Sequence, residues 1–138
     1  MPFSTRITVA FGDTDPAGIV YYPNLFHYCH IAMERFFNEE CALPYAELIT
    51  QRRIGFPTVK IDAQFEKAIA YGEELAVVVD IEKIGRSSLT LNYKLIRSDL
   101  VQCAQATMVH VAMNLDSSTS IEIPNDLRER LQILERAR

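Results

Sequence analysis

The sequence lacks a long hydrophobic run and an excess of basic residues. No stretch approaches the roughly 18 apolar residues of a membrane-spanning helix, so we expect no membrane partner. The first residues, MPFSTRITVA, are too short and too polar for a signal peptide. A formal net charge of −4 argues against a nucleic-acid partner, which usually requires a basic face. The net charge does not exclude an anionic small ligand, because the binding of such a ligand depends on the basic residues near its site.

Cysteine is also scarce. The three cysteines, Cys29, Cys41 and Cys103, show no metal-ligand spacing, and no Asp/His/His pattern suggests a metal site. An odd count without a signal peptide is typical of reduced thiols, so we expect a cytoplasmic protein without a metal. Cys29 and Cys103 lie in apolar periodic segments, which favours small core residues over reactive thiols.

Length and composition indicate one folded domain, residues 1–138. The chain has 138 residues and 49% of them are apolar, which excludes disorder by composition. Cores normally split into domains only beyond roughly 250–300 residues. We find no internal repeat, linker or low-complexity segment that would divide the chain.

Hydrophobic periodicity predicts a strand followed by a long helix. Residues 4–11 alternate in polarity, with Ile7 and Phe11 on the same face. Pro23 suits the first turn of a helix, where its missing N–H is not needed. From there an apolar face at helical spacing continues to near Cys41, so this helix should be mostly buried.

Four further strands follow in the second half of the chain. The cleanest period-two pattern covers 56–70, and the others cover 74–84, 88–97 and 101–114. Short connections between successive strands imply antiparallel pairing. Pro124 then starts a short C-terminal helix. One sheet with one buried helix on its face is an α+β two-layer domain.

One stretch, FGDTDPAGIVYYPN, combines two acidic residues with the start of the buried helix. It resembles the signature of the 4-hydroxybenzoyl-CoA thioesterase family, and the closing stretch VHVAMN…IEIP resembles the last strand and exit of its aryl-CoA branch. The resemblance implies the hot-dog fold: a five-stranded antiparallel sheet wrapped around a long central helix, with a short C-terminal helix. It also implies hydrolysis of an acyl-CoA thioester.

The resemblance assigns Asp15 as the nucleophile or general base, and the backbone amide of Tyr22 as the group that polarises the thioester carbonyl. A carboxylate can attack directly or activate water. The first amides of a helix lack intrahelical partners and carry the positive end of its dipole. Gly18 allows a positive φ or a close approach to ligand. Asp13 is better explained as a turn residue that caps local amides, which is also the alternative role for Asp15.

The resemblance also predicts three acyl-pocket residues, Gly18, His30 and Phe56. His30 stands where an acidic residue of the 4-hydroxybenzoyl-CoA enzyme faces the ring hydroxyl of its substrate. Histidine can donate or accept a hydrogen bond there, so the preference for a para-hydroxyl group is not carried over, and a ring with another substituent or a non-aromatic acyl chain is possible. The alternatives are a helix histidine satisfied by a backbone carbonyl or a neighbouring subunit, and a strand-edge hydrophobe at Phe56.

A turn near the middle of the chain is the expected CoA contact. Residues 83–89 align with a basic turn that grips the nucleotide phosphates in the aryl-CoA branch. Arg86 is the good match, and Lys83, Ser87 and Ser88 could compensate in part for basic residues that this chain lacks. A solvated hairpin tip is the alternative. Since CoA belongs to the substrate, no separate cofactor is expected.

We therefore expect a thioesterase for an aryl-CoA of hydroxybenzoyl or related benzoyl type. The alternatives are a short-chain aliphatic acyl-CoA thioesterase of the same superfamily and a non-catalytic acyl-CoA-binding module. A hot-dog dehydratase is disfavoured, because no histidine stands near the start of the buried helix in the usual pattern. An uncovered sheet edge is a liability, so we expect a homodimer that assembles as a dimer of dimers.

Overall fold

The computed structural model describes residues 2–137. In chain order its elements are β1 (Phe3–Thr8), α1 (Tyr22–Glu39), α2 (Tyr45–Thr50), β2 (Ile54–Gly55), β3 (Thr58–Phe65), β4 (Glu74–Ile84), β5 (Ser88–Ile96), β6 (Gln102–Val111), β7 (Met113–Asn114), β8 (Thr119–Ser120) and α3 (Asn125–Ala137). The longer strands form one five-stranded antiparallel sheet in the order β1-β4-β5-β6-β3, and α1 packs against β1 and β4. The predicted α+β architecture, with a long central helix and a short C-terminal helix, is confirmed.

The central helix α1 is buried because its apolar residues recur every three or four positions. Pro23 lies in its first turn, as predicted. The helix ends before Glu40, whose carbonyl accepts a 2.8 Å hydrogen bond from the Arg130 guanidinium of α3. Within residues 2–137, no helix is both long and apolar enough to cross a membrane. The buried side chains of α1 are Leu25, Tyr28, Cys29, Ala32, Met33, Phe36 and Phe37.

One strand pairing differs from the expectation that successive strands lie side by side. β4 pairs with β5 and β5 with β6, but β3 pairs with β6 and not with β4. Residues 66–73 carry the chain from the β3 edge to the start of β4, which pairs with β1 on its other side. Alternation predicts that a segment is a strand, but it does not determine which neighbour that strand takes.

The first strand is also shorter than predicted. Ile7 is buried as expected, but β1 ends at Thr8. Phe11 opens a 3₁₀ turn, and its side chain is 76% exposed instead of facing the core. The Asp13 amide closes this turn by donating a 3.0 Å hydrogen bond to the Ala10 carbonyl, which takes the backbone out of the strand conformation.

The segments around the main sheet hold short elements that periodicity did not predict. Helix α2 follows α1, and β2, β7 and β8 form a second, three-stranded sheet. The predicted strand 101–114 is interrupted at Ala112, so it is divided between β6 and β7. Elements this short contain too few residues to show a period in the sequence.

The core contains a buried imidazole, that of His110, which is 2% exposed. Its Nδ1 lies 3.0 Å from the Thr58 hydroxyl oxygen, and its Nε2 lies 2.8 Å from the Tyr93 hydroxyl oxygen. Burial lowers the pKa of His110 to about 4, so the ring is neutral near pH 7. The imidazole therefore has a structural role, because it connects the start of β3 to the centre of the sheet.

The three cysteines are buried and free. Burial raises the pKa of Cys29 and of Cys41 to about 12, so both thiols stay protonated. The prediction that Cys29 and Cys103 are core residues is confirmed.

Candidate active site

The motif that precedes α1 folds as a short hairpin. The Asp15 amide donates a 2.9 Å hydrogen bond to the Ile19 carbonyl, and the Tyr21 amide donates a 3.0 Å bond to the Asp13 carbonyl. A bridge between Thr14 and Val20 lies between these two bonds. Residues 13–15 therefore run antiparallel to residues 19–21, and α1 begins immediately after the second arm.

Gly18 makes the reversal of this hairpin possible. Its φ is +78°, a conformation that L side chains rarely adopt. Its amide donates a 2.9 Å hydrogen bond to the Asp15 carbonyl, and its own carbonyl accepts a 3.1 Å bond from the Tyr71 amide. The turn is thus fixed on one side to Asp15 and on the other to the segment that leads into β4.

The carboxylate of Asp15 is partly buried at this turn. Its Oδ1 accepts a 2.9 Å hydrogen bond from the Ala17 amide, so the residue does cap its own turn. Within residues 2–137, no side chain or amide donates to the second oxygen. Asp15 therefore has one oxygen held by the turn and one oxygen available to a ligand.

The amide of Tyr22 is the first amide of α1. Among the described residues it donates no hydrogen bond, whereas the amides of Tyr21 and Asn24 on either side both do. The first amides of a helix have no intrahelical acceptor, and the dipole of an 18-residue helix adds partial positive charge there. This N–H is a ready donor for a carbonyl oxygen or an oxyanion.

The hairpin brings these two groups onto neighbouring arms. Asp15 lies one residue from the Thr14–Val20 bridge toward the turn, and Tyr22 lies two residues from the same bridge at the start of α1. A carbonyl group that reached both would meet a carboxylate oxygen and an unbonded N–H.

Asp13 confirms the turn role that the sequence predicts for it. Its Oδ2 accepts hydrogen bonds from the Ala10 amide at 3.1 Å and from the Tyr28 hydroxyl at 2.7 Å. Hydrogen bonds to a charged group contribute about 1.5–3 kcal/mol each. Burial, and secondly the bond to Asp13, raises the pKa of Tyr28, so this hydroxyl stays a donor. The two aspartates of the motif therefore differ in how free their carboxylates are. The Asp13 carboxylate is held by Ala10 and Tyr28, whereas Asp15 has one oxygen without a donor among residues 2–137.

Two depressions lie on either side of the hairpin. One, of about 260 Å³, lies beside Tyr22 and Phe65, whose ring centroids are 6.3 Å apart. The other is more open, about 490 Å³, and lies between Asp15 and the exposed rings of Phe11 and Tyr71. The sequence did not indicate that these rings lie beside the site. Phe11 and Phe65 fit the alternation of two predicted strands, and Tyr71 lies in the turn that follows the second of them.

The three predicted acyl-pocket residues are not gathered in one place within the chain. Gly18 lies beside Asp15 in the open depression. His30 is exposed on α1, with its ring edge toward Tyr45 at a centroid distance of 6.2 Å. Phe56 is 2% exposed and packs on Phe37 in the core, with ring centroids 5.2 Å apart.

The predicted CoA contacts lie together at the tip between β4 and β5. Arg86 is exposed, and its Nε donates a 2.8 Å hydrogen bond to Glu122. The carbonyl of Ser88 accepts a 2.7 Å bond from the Gly85 amide, the carbonyl of Ser87 accepts one of 2.8 Å from the Ala112 amide, and Lys83 is exposed near the end of β4. Such an exposed ion pair contributes about 0–1 kcal/mol, so a phosphate could displace Glu122 from Arg86.

The chain matches a known protein family over most of its length. The family model of the thioesterase-like superfamily matches residues 9–131. The chain belongs to this superfamily. The matched residues contain the hairpin, α1, the whole main sheet after β1 and most of α3, so the candidate site lies within them.

Relatives and solved structures agree with this membership. A 1,4-dihydroxy-2-naphthoyl-CoA hydrolase of Nostoc punctiforme is 29% identical over 132 residues, covering 96% of this chain and 88% of the relative. The structure of a gentisyl-coenzyme A thioesterase is 29% identical with a TM-score of 0.84, over 91% of this chain and 99% of the other. The 4-hydroxybenzoyl-CoA thioesterase of Pseudomonas sp. strain CBS-3 is 28% identical with a TM-score of 0.86, over 94% and 98%.

The superfamily membership confirms the family resemblance, the hot-dog fold and the enzyme class predicted from the sequence. This hot-dog protein is a thioester hydrolase of the acyl-CoA thioesterase type. Its hairpin offers a carboxylate oxygen at Asp15, and the start of α1 offers an unbonded amide at Tyr22.

Proposed function

We propose that the chain hydrolyses an aryl-CoA thioester to the free aryl carboxylic acid and CoA. The observation that carries the proposal is the pairing, on one hairpin, of the open Asp15 oxygen with the unbonded Tyr22 amide. The aromatic acyl group is supported by relatives named for naphthoyl, gentisyl and 4-hydroxybenzoyl thioesters. It is supported also by the aromatic rings that border both depressions beside these groups.

In the proposed reaction the Tyr22 amide donates a hydrogen bond to the thioester carbonyl oxygen and stabilises the negative charge that develops there. Asp15 either attacks the carbonyl carbon or removes a proton from a water that attacks it. The carbon–sulfur bond then breaks and CoA leaves as the thiolate. If Asp15 attacks directly, water hydrolyses the resulting anhydride and restores the carboxylate. Neither route requires a metal or a separate cofactor.

A panel of thioesters tests this proposal through release of free thiol, read with a thiol reagent. We expect kcat/KM for benzoyl-, 4-hydroxybenzoyl-, gentisyl- and 1,4-dihydroxy-2-naphthoyl-CoA to exceed that for acetyl-, butyryl- and hexanoyl-CoA by about 10- to 200-fold, the discrimination that an apolar pocket provides. Preference for the aliphatic esters would replace the aryl proposal by the short-chain one. Binding of the esters without thiol release would contradict both and favour a binding module.

A second copy of the chain is part of the proposal. Strand β3 is an edge of the main sheet, and its apolar face is exposed, with Val59 62%, Ile61 42% and Phe65 52% accessible. Exposed apolar strand edges in stable proteins are usually covered by a partner. We propose that β3 lies at the interface of a homodimer, and that two dimers associate.

The position of Arg86 also favours an oligomer. The hairpin lies near the start of β4, because the Tyr71 amide, three residues before this strand, donates a hydrogen bond to the Gly18 carbonyl. Arg86, in contrast, follows the end of β4. The 11 residues of β4 separate the two places by roughly 30 Å. If the thioester lies at Asp15, the pantetheine arm of CoA is too short to bring the pyrophosphate to Arg86 of the same chain. If Arg86 binds CoA, it does so for the site of another subunit.

Replacing Arg86 by alanine is expected to raise the inhibition constant of CoA by about 3- to 10-fold, because one charge-assisted contact to phosphate is lost. Inhibition of thioester hydrolysis by free CoA at low salt measures it. Arg53→Ala is the matched control, since Arg53 also pairs with an exposed carboxylate, Asp116, at 3.0 Å. Equal inhibition constants for the two variants and the unmodified protein would identify the Arg86 turn as a solvated hairpin tip.

A further inference from the structure

Asp13 holds both ends of the candidate site together. Besides the two bonds to its carboxylate, its backbone carbonyl accepts hydrogen bonds from the Tyr21 amide at 3.0 Å and from the Asn24 side-chain amide at 2.8 Å. Two of its partners, Asn24 and Tyr28, belong to α1. Asp13 is thus the point at which the first arm of the hairpin is fastened to the start of the helix.

These partners surround the two groups of the proposed reaction. Asp15 lies two residues beyond Asp13 on the same arm, and the Tyr22 amide lies between Tyr21 and Asn24, which both donate to the Asp13 carbonyl. A displacement of the arm relative to α1 would therefore change the gap between the carboxylate and the amide. Nothing else on the first arm reaches the helix through a side-chain hydrogen bond among residues 2–137.

The burial of Tyr28 makes this connection rigid. Its side chain is 1% exposed, and its hydroxyl reaches Asp13 across the interface between helix and hairpin at 2.7 Å. A buried tyrosine has few rotamers available, so the hydroxyl has a fixed position from which to hold the carboxylate. Asp13 in turn is anchored to the chain that comes from β1 through the Ala10 amide.

The geometry points to Asp13, held by Tyr28 and Asn24, as a positioning residue that sets the distance between the Asp15 carboxylate and the Tyr22 amide. This inference rests on the proposed function, because it concerns the same two groups. It goes beyond the turn role of Asp13, since it assigns to the turn an effect on turnover. Misplacement of reacting groups by about 1 Å can lower a rate by about 100-fold.

Tyr28→Phe tests the inference by removing one hydroxyl and keeping the buried ring. We expect kcat to fall by about 10- to 100-fold with KM changed by no more than about twofold, since the contacts that bind the substrate are intact. Tyr93→Phe is the matched control: it also removes the hydroxyl of a fully buried tyrosine, one that bonds His110 in the sheet. The control should lose a similar amount of thermal stability and keep its kcat.

Asn24→Ala is the second variant, because Asn24 is only partly buried and alanine is a good helix residue, so folding is expected. It should lower kcat in the same way as Tyr28→Phe. The inference is overturned if both variants turn over at the unmodified rate, or if Tyr93→Phe loses as much kcat as Tyr28→Phe.

The Asp15→Asn background separates this inference from the proposed function. If positioning acts through Asp15, adding Tyr28→Phe to Asp15→Asn lowers the residual rate no further, whereas a general structural defect would multiply the two losses. Near-normal turnover of Asp15→Asn alone would refute the proposed function. Loss of turnover in Asp15→Asn with an unchanged kcat in both Tyr28→Phe and Asn24→Ala would refute only the positioning role.

Discussion

Asp15→Asn is expected to lower kcat by about 100- to 10,000-fold, because it removes the nucleophile or general base of the proposed reaction. Asparagine keeps the oxygen that accepts the Ala17 amide, so the turn and the Gly18 conformation should persist. The folded state should be intact by circular dichroism and thermal unfolding. Thiol release from the best substrate of the acyl-CoA panel measures the loss.

Asp99→Asn serves as the matched control for this substitution. Asp99 is also a turn aspartate whose Oδ1 accepts the amide two residues later, that of Val101, at 3.1 Å. It lies in the β5–β6 connection, and its carboxylate bonds Arg97 and Val101 and no residue of the hairpin among residues 2–137. If Asp15→Asn and Asp99→Asn both retained turnover close to that of the unmodified protein, Asp15 would be a turn residue and the proposed mechanism would be wrong.

Tyr22→Pro is expected to lower kcat by about 100- to 1000-fold, the usual effect of removing one oxyanion donor. The substitution deletes the N–H and little else of the backbone, because proline fits the first position of a helix. The residue before a proline must be extended, and Tyr21 already is, with φ −69° and ψ 128°. The Tyr21 amide keeps its bond to Asp13.

Tyr22→Phe and Tyr22→Ala separate the amide from the side chain. Phenylalanine removes only the hydroxyl, and alanine removes the ring that lies beside Phe65. We expect kcat near normal for Tyr22→Phe, and a raised KM with a smaller loss of kcat for Tyr22→Ala. Should all three variants lose kcat equally, the side chain and not the amide would be the group that matters.

The parts of the fold that could be predicted are those with a long period. The apolar face of α1 and the alternation in β4 and β5 extend over many residues, so their positions agree closely with the structure. The position of β3 in the sheet could not be predicted from its period. Its alternation is clear, yet its apolar face is exposed and its neighbour is β6, because pairing depends on a connection that crosses the sheet.

For the site, the sequence located the hairpin but not everything around it. Asp15, Gly18 and the start of α1 lie within one continuous motif, so their proximity follows from local turns. His30 and Phe56 are separated in sequence, and only the three-dimensional packing shows that one is exposed and the other lies in the core. Tyr28 carries no sequence signal, since its ring fits the apolar period of α1 and only its hydroxyl reaches the hairpin.

The crossing segment 66–73 also decides when such a site can exist during folding. Its residues bond β6 through Cys103, the hairpin through Val20 and Gly18, and the end of β1 through Val9. Residues 9–20, the crossing segment and β6 are far apart in sequence, so they must have met before all of these bonds exist. Contacts of such long range form late and together. On the proposed mechanism, the site therefore depends on the completed sheet and not on the hairpin alone.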